Sequence, residues 1–519
     1  MNCGLGLIAV VTSALAQAQG FVYRYPYIAG NTSDYYSEKY GWSIASNDEW
    51  VVVGSPFANG DLGEVRVYPT GQFLNGTSAQ PEVLTDVPEN ARKFGSIVAA
   101  YGTTIAVGNC SAQGGSEYCG EEASWVSIFT YDGTSWQQMG RILRPVQASG
   151  RFGSAIALYG DWLAIGGART GTQQEHIDKV YLYHRDADGF SNAPNDSLMG
   201  NTCSGVNADD FGYALAMTAE HLVVGARSDD ELGPDAGAGY VYHNDGGDAP
   251  FGYLVRKLLP SDGDGDDLFG FSVAVRGDLC LVGAPEKDVN GSPAGAAYVF
   301  DREEGFADNW GQVSVLAPPP QADTDELEPD MQFGASVAIS ADRIAVGAPQ
   351  DSLGTDHLQG SVSLFAANDT GWGHQQTIRP RFDGGVNDVS RSGTAITFAY
   401  GSLLVGAPWA IVQDTSTFPT GGVLVYADPL LGLQERPLLR ARVWPVPATD
   451  HLMISVESPC PVPIRTIVRD ATGRAVADRS HPYGGLPVRL DLSSFRPGPY
   501  ILEVTAPDGG SFRSLFIRQ

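Results

Sequence analysis

The sequence predicts an all-β chain, a seven-bladed β-propeller followed by a small Ig-like β-sandwich, and three observations carry that prediction. A motif of aromatic-Gly, a short apolar stretch, a tight turn and a second apolar stretch ending in Gly-Ala-Pro recurs seven times. Its first glycines are Gly41, Gly95, Gly153, Gly212, Gly270, Gly334 and Gly393; its second are Gly54, Gly108, Gly166, Gly225, Gly283, Gly347 and Gly406, each pair 13 residues apart. The interval between copies wanders from 54 to 64 residues, as loops on a fixed scaffold do. Composition agrees: 64 glycines and 32 prolines in 519 residues supply tight turns, and 43% apolar residues supply a core.

The elements follow in chain order. Residues 5–16 form an apolar run leading into Ala16-Gln17-Ala18, which has the small-x-small form of a signal-peptidase site, so cleavage is expected between Ala18 and Gln19. The run is too short to cross a bilayer, and no later stretch reaches ~18 unbroken apolar residues, so no transmembrane segment is expected. Copy five shows the anatomy of a repeat. Phe269-Gly270 leads into an apolar strand, a turn at Arg276-Gly277-Asp278, and a second strand ending in Gly283-Ala284-Pro285. Ala296-Ala297-Tyr298-Val299-Phe300 and residues 312–316 give two more strands. A four-stranded unit of about 60 residues cannot bury both faces alone, and a radial ring of such units is a propeller. The second strands are near-continuous apolar runs, such as Leu163-Ala164-Ile165 and Leu403-Leu404-Val405, as strands buried on both faces require. The first strands carry smaller residues, suited to the crowded axis. Because a fourth strand precedes each aromatic-Gly, Phe21-Val22-Tyr23-Arg24-Tyr25 is expected to complete the seventh blade and hide its open edge, with residues 434–439 as the second choice.

Taken together, these residues resemble the FG-GAP repeats of integrin α-chain propellers and their bacterial relatives over residues 21–428. Copies five and six match best, while Gly108-Asn109-Cys110 in copy two and Ser392 in copy seven depart from the pattern. After Asp428 the repeat stops. Val443-Trp444-Pro445-Val446-Pro447, then Arg469-Asp470-Ala471-Thr472-Gly473-Arg474, Leu490-Asp491-Leu492-Ser493-Ser494-Phe495 and Gly498-Pro499-Tyr500 follow in order, and this order resembles the C-terminal sorting domain of the type IX secretion system of Bacteroidota. The resemblance implies a partner, the type IX machinery, and a secreted or outer-membrane surface-anchored product. The expected division is 1–18 signal peptide, 19–428 propeller, 429–440 linker and 441–519 sorting domain.

The net charge of -28 makes nucleic acid an unexpected partner, because a phosphate backbone would be repelled. Relatives that bind calcium do so through an Asp-rich loop between the first two strands of a blade, and here that turn is too short to hold one. Alternate carboxylates lie instead in the loop entering blade 5, where Asp262, Asp264, Asp266 and Asp267 are the candidate metal ligands, for Ca2+ if any cofactor is bound. Asp323, Asp325 and Asp330, and then Asp229, Asp230 and Asp235, form looser versions. Cys110 and Cys119 flank a Gly-rich loop and are the candidate disulfide, whereas Cys280 lies in an apolar run and reads as a buried free thiol. No nucleophile elbow, zinc-protease helix or phosphate loop is present, and His176, His184, His221 and His243 read as loop or strand-edge residues. The expected function is a binding or adhesion module for extracellular protein or polysaccharide. The alternative is a polysaccharide-active hydrolase or lyase with a site at the axis. Trp125, Trp136, Trp310, Trp372 and Trp409 would mark a contact surface if they shared one rim, and blade packing otherwise.

Overall fold

A computed structural model of the chain describes residues 22–27, 38–74, 80–86, 92–109, 124–145, 152–167, 178–200, 209–244, 246, 251–319, 329–352, 358–368, 371–380, 389–410, 421–427, 440–444, 451–457, 464–470, 475–481, 488–493, 495–505 and 511–518. Ala18, Gln19, Cys110 and Cys119 lie outside the described residues. The chain divides into two compact units, with the break between Ala427 and Asp428.

The first unit is a seven-bladed propeller of antiparallel sheets. Blade 5 is representative, with strands Ser272–Arg276, Leu279–Ala284, Ala296–Asp301 and Gly311–Leu316 paired in sequence order. Blade 3 departs from four strands, because Lys179–Asp186 pairs with both Gly189–Phe190 and Asp196–Met199. Each first strand packs against the first strands of both neighbours all the way round, so these strands line the axis. The second strands form the interior: Val51 to Val53, Leu222 to Val224 and Leu403 to Val405 have no solvent exposure. Burying each such side chain stabilises by about 1.5–3 kcal/mol, which is why this strand tolerates only apolar residues.

The N-terminal strand Val22–Tyr27 pairs antiparallel with Gly422–Ala427 and completes the blade formed by Ala395–Ala399, Ser402–Ala407 and Gly422–Ala427. The two ends of the propeller chain are therefore held in one sheet. Pro26 is tolerated because this is an outer strand.

The repeated glycines close the ring. A Cβ on Gly225 would lie 2.0 Å from the carbonyl oxygen of Gly270, and one on Gly54 would lie 2.1 Å from that of Gly95. In every copy the second glycine abuts the first glycine of the next copy, and Gly406 abuts Gly41, which returns the ring to its start. No side chain fits such an approach of two backbones. A third glycine, at the entry to the third strand, meets the motif aromatic of the following blade, as in Gly237 with Phe269 and Gly295 with Phe333. Those aromatics are themselves buried and wedge edge-on against their own third strand, with Phe269 5.3 Å from Tyr298 between ring centroids. At the departing seventh copy, buried Ser392 takes the aromatic's place beside Gly360, within 3.2 Å of the Ser390 hydroxyl.

The C-terminal unit has two antiparallel sheets. One contains Arg440–Trp444, His451–Glu457 and Val488–Asp491; the other contains Ala475–His481, Ile464–Asp470, Gly498–Thr505 and Ser511–Arg518. Leu452, Ile454 and Leu490 from the first and Val468, Leu502 and Val504 from the second share one core. Alternating strands with one apolar face produce this two-layer arrangement.

Candidate functional site

The propeller has two different mouths. On one side lie the starts of the first strands and the Gly-Ala-Pro ends of the second strands. On the other lie the hairpin turns joining first strand to second. Among the described residues, three positions of a copy reach the first mouth: two residues before the first glycine, one after it, and three after the second glycine.

In blades 7, 1 and 2 these positions hold an aromatic platform threaded with cations. Trp42 faces Trp409 across the seam where the ring closes, with ring centroids 5.3 Å apart, and faces Phe57 at 5.7 Å. Lys39 Nζ lies 3.8 Å from the Trp409 ring, 4.7 Å from Phe57 and 5.6 Å from Trp42. Lys93 reaches Phe57 from blade 2 at 5.0 Å, and the Arg391 guanidinium covers Trp409 at 4.4 Å. Lys39 and Lys93 are buried, whereas Trp42, Phe57, Trp409 and Arg391 are half-buried and present the outer surface. Each cation over a ring face contributes about 0.5–2 kcal/mol. Further round, Tyr213 and Phe271 form a smaller ring pair at 5.1 Å, with Arg227 4.0 Å from Tyr213 and bonded to Asp210 at 2.8 Å.

The seven-fold scaffold supplies its own control. At the seam between blades 5 and 6, the equivalent positions are Glu286, Ala335 and Gln332, and the Gln332 amide donates to the Glu286 carboxylate at 3.2 Å. That seam closes without an aromatic or a cation. Ring closure therefore does not require the Trp42–Trp409 cluster.

The opposite mouth is acidic. The residue before the second strand is Glu49, Asp161, Glu220, Asp278 or Asp342 in five of the seven blades. Tyrosines sit among them: Tyr101 stacks on Tyr159 at 4.5 Å, and the Tyr400 hydroxyl donates to the Asp48 carbonyl. A cleft of ≈ 540 Å³ opens there, lined by Tyr159, Met217, Glu220, Arg276, Asp278 and Ile339. Arg302 lies 3.5 Å from Glu220 and 3.4 Å from Asp278, and its guanidinium links the two carboxylates.

The sequence-derived sites fall elsewhere. Asp267 accepts from Lys287 Nζ at 3.0 Å and from the Asp264 N–H at 2.8 Å, while Lys287 also donates to the Asp262 carbonyl. Tyr298 donates to the Asp262 carboxylate at 2.9 Å, and Asp264 accepts from the Gly265 N–H at 2.9 Å. Burial pushes the Asp267 carboxyl above its usual range, against the bonds from Asp264 and Lys287. A buried ammonium thus stands where Ca2+ would have to enter, and the loop does not fit the ion. Among the described residues no three His, Cys, Asp or Glu side chains gather as metal ligands. Blades 4 and 6 carry the reverse arrangement, with Asp229 bonded to Lys257 at 2.7 Å and Asp351 to Arg379 at 3.0 Å. Blade 5 has exchanged acid for base at that position.

Of the tryptophans, Trp125, Trp136 and Trp310 are buried within the blades, and Trp372 packs against the core between blades 5 and 6. Only Trp409 of the five reaches the platform; its partners Trp42 and Phe57 went unrecognised in the linear sequence. His221 corrects a surface reading: it is 1% exposed, cross-paired with His243 at 3.4 Å and capped edge-on by Trp310. Burial, with Arg302 and His243 nearby, pushes its imidazole down to about 4. Cys280 is a free, fully buried thiol, which burial raises well above its ordinary value.

Comparison with known proteins adds the following. Residues 204–242, 254–300 and 310–365 match the FG-GAP repeat family. Residues 442–518 match the secretion system C-terminal sorting domain family. The chain is similar to the solved structure of the periplasmic gluconolactonase PpgL of Pseudomonas aeruginosa at 11% identity, over 82% of this chain and 94% of that one, with a TM-score of 0.41. A likeness of that size carries no argument about activity.

Proposed function

We propose, from the premise that this chain is an FG-GAP-repeat β-propeller protein ending in a type IX C-terminal sorting domain, that it is an exported glycan-binding module. The sorting domain indicates a secreted or outer-membrane surface-attached protein, and no described helix is long and apolar enough to cross a membrane. The contact surface in this reading is the mouth on the Gly-Ala-Pro side. One observation carries it: Trp42 and Trp409 stand as a half-buried indole pair at a seam that the scaffold closes elsewhere with Glu286, Ala335 and Gln332. Flat apolar ring faces bordered by hydrogen-bonding groups suit the faces of sugar rings. A second reading, cleavage of a polysaccharide, is favoured by Glu220 and Asp278 lining one cleft at the opposite mouth.

The test is a titration of the full chain against a panel of polysaccharides and matrix proteins, with reducing ends and polymer length followed in the same samples. Saturable binding to a polysaccharide without shortening is the expected result. Binding confined to matrix proteins would overturn the glycan reading, and chain shortening would move the site to the acidic cleft.

A further inference from the structure

We infer that the ligand of the Gly-Ala-Pro-side mouth is an anionic polysaccharide, whose sugar rings pack on Trp42 beside Trp409 and whose charged groups are met by Arg391. This deepens the glycan-binding reading and rests on it. The charge of the protein makes the local arrangement informative. The chain carries -28 overall, and the hairpin rim repeats that sign in five of seven blades. Yet the position two before the first glycine is Arg391, Lys39, Lys93 and Arg151 in the four consecutive blades 7, 1, 2 and 3, the last of these residues lying outside the described ones. The same position in blades 4, 5 and 6 is Asp210, Leu268 and Gln332, so the backbone there does not demand a base.

A neutral sugar would be served by the rings alone. Placing the buried Lys39 ammonium against Trp42, Phe57 and Trp409, and that of Lys93 against Phe57, costs desolvation, and such groups raise the potential at the outer ring faces. Arg391 adds direction. It stacks on Trp409 and has no carboxylate partner among the described residues, so its planar N–H fork remains available for the two oxygens of a carboxylate or sulfate. The distant acidic surface does not cancel this field, because salt screens charges beyond about 8 Å at physiological ionic strength. The same acidic surface disfavours indiscriminate binding of polyanions, so any polyanion retained is held locally.

The experiment uses the full chain and matched polymer pairs: polygalacturonate with its carboxyl-reduced form, and dextran sulfate with dextran. Arg391→Gln and Asp278→Asn are titrated beside the wild type, and thermal melting verifies that each variant is folded. The expected result is binding to a charged polymer and not to its neutral partner, weakened roughly tenfold by Arg391→Gln and unchanged by Asp278→Asn. Which charged polymer binds distinguishes a carboxylate from a sulfate ligand, and either supports the inference. Equal affinity for charged and neutral partners would overturn it while leaving the glycan module standing. Binding to charged polymers that Arg391→Gln leaves intact would overturn the role of this mouth. Failure to bind any polysaccharide of the wider panel would overturn the glycan reading itself.

Discussion

The two mouths of the propeller are made by the same seven repeats and are built in opposite ways. On the Gly-Ala-Pro side, backbone meets backbone: the second glycine of each copy abuts the first glycine of the next, which leaves few positions free. Those free positions hold Lys39, Trp42, Phe57, Arg391 and Trp409. On the hairpin side, a Cβ added to Gly102, Gly160 or Gly277 would meet nothing within 4 Å, and the turns present carboxylates and tyrosines. A locked rim can hold rings and cations in fixed mutual geometry. An open rim of turns cannot do so to the same degree, which is why the proposed recognition surface is on the locked side.

The largest expected effect comes from breaking that lock. Gly283→Ala would place a methyl about 2.0 Å from the Gly334 carbonyl oxygen and should destabilise by about 3–5 kcal/mol. Gly277→Ala on the open rim, at φ +56°, should cost about 1 kcal/mol for its left-handed backbone alone. Denaturant unfolding of both variants measures the contrast, and equal losses would contradict it.

Acid should then act on the two ends with opposite signs. His221, near the hairpin side, has a folded value of about 4 against an unfolded value near 6.5, so the unfolded chain takes up the proton first. Its contribution is complete above pH 6.5 and is lost as pH falls toward 4, by about 2 kcal/mol between pH 7.5 and 5. Arg302, His243, Glu220 and Asp308 surround it. Asp209, on the Gly-Ala-Pro side, is pushed up to about 6 by burial and by Asp229 and Asp230. Its penalty is present above pH 6 and fades as pH falls toward 3.8, by about 1 kcal/mol over the same interval. His221→Phe should therefore make the protein relatively more stable in acid, and Asp209→Asn should make it more acid-labile. Stability measured at pH 7.5 and 5 for the two variants checks both signs.

The smallest expected effect is that of calcium. Lys287 already neutralises Asp267, so addition of Ca2+ or a chelator should leave the melting temperature within about 1 °C. A clear chelator-induced drop would restore the Asp262–Asp267 loop as a metal site.

Much of the fold was legible because backbone closure is written in glycines. Two glycines held 13 residues apart through seven copies fix the phase of the repeat, and the phase alone places Val22–Tyr27 in the seventh blade. The reason for those glycines was not legible, since each one meets a carbonyl in another copy. The mouth was hidden for a related reason: Lys39 and Trp409 are 370 residues apart and meet only when the ring closes. Reading the seven copies column by column would have exposed the bases before the first glycine. The acidic loop misled because its cation, Lys287, arrives from 20 residues beyond Asp267, at the position where blades 4 and 6 carry Asp229 and Asp351. His221 looked like a strand-edge residue because the ring covering it, Trp310, belongs to the next blade.

The most direct test of the central claim is calorimetric titration of one bound polysaccharide against paired disruptions of the two mouths, Trp42→Ala with Trp409→Ala and Tyr159→Ala with Asp278→Asn. The account predicts that the first pair abolishes binding in a folded protein and that the second pair leaves the affinity unchanged. Loss of binding in the second pair with retention in the first would contradict it and place recognition at the acidic mouth.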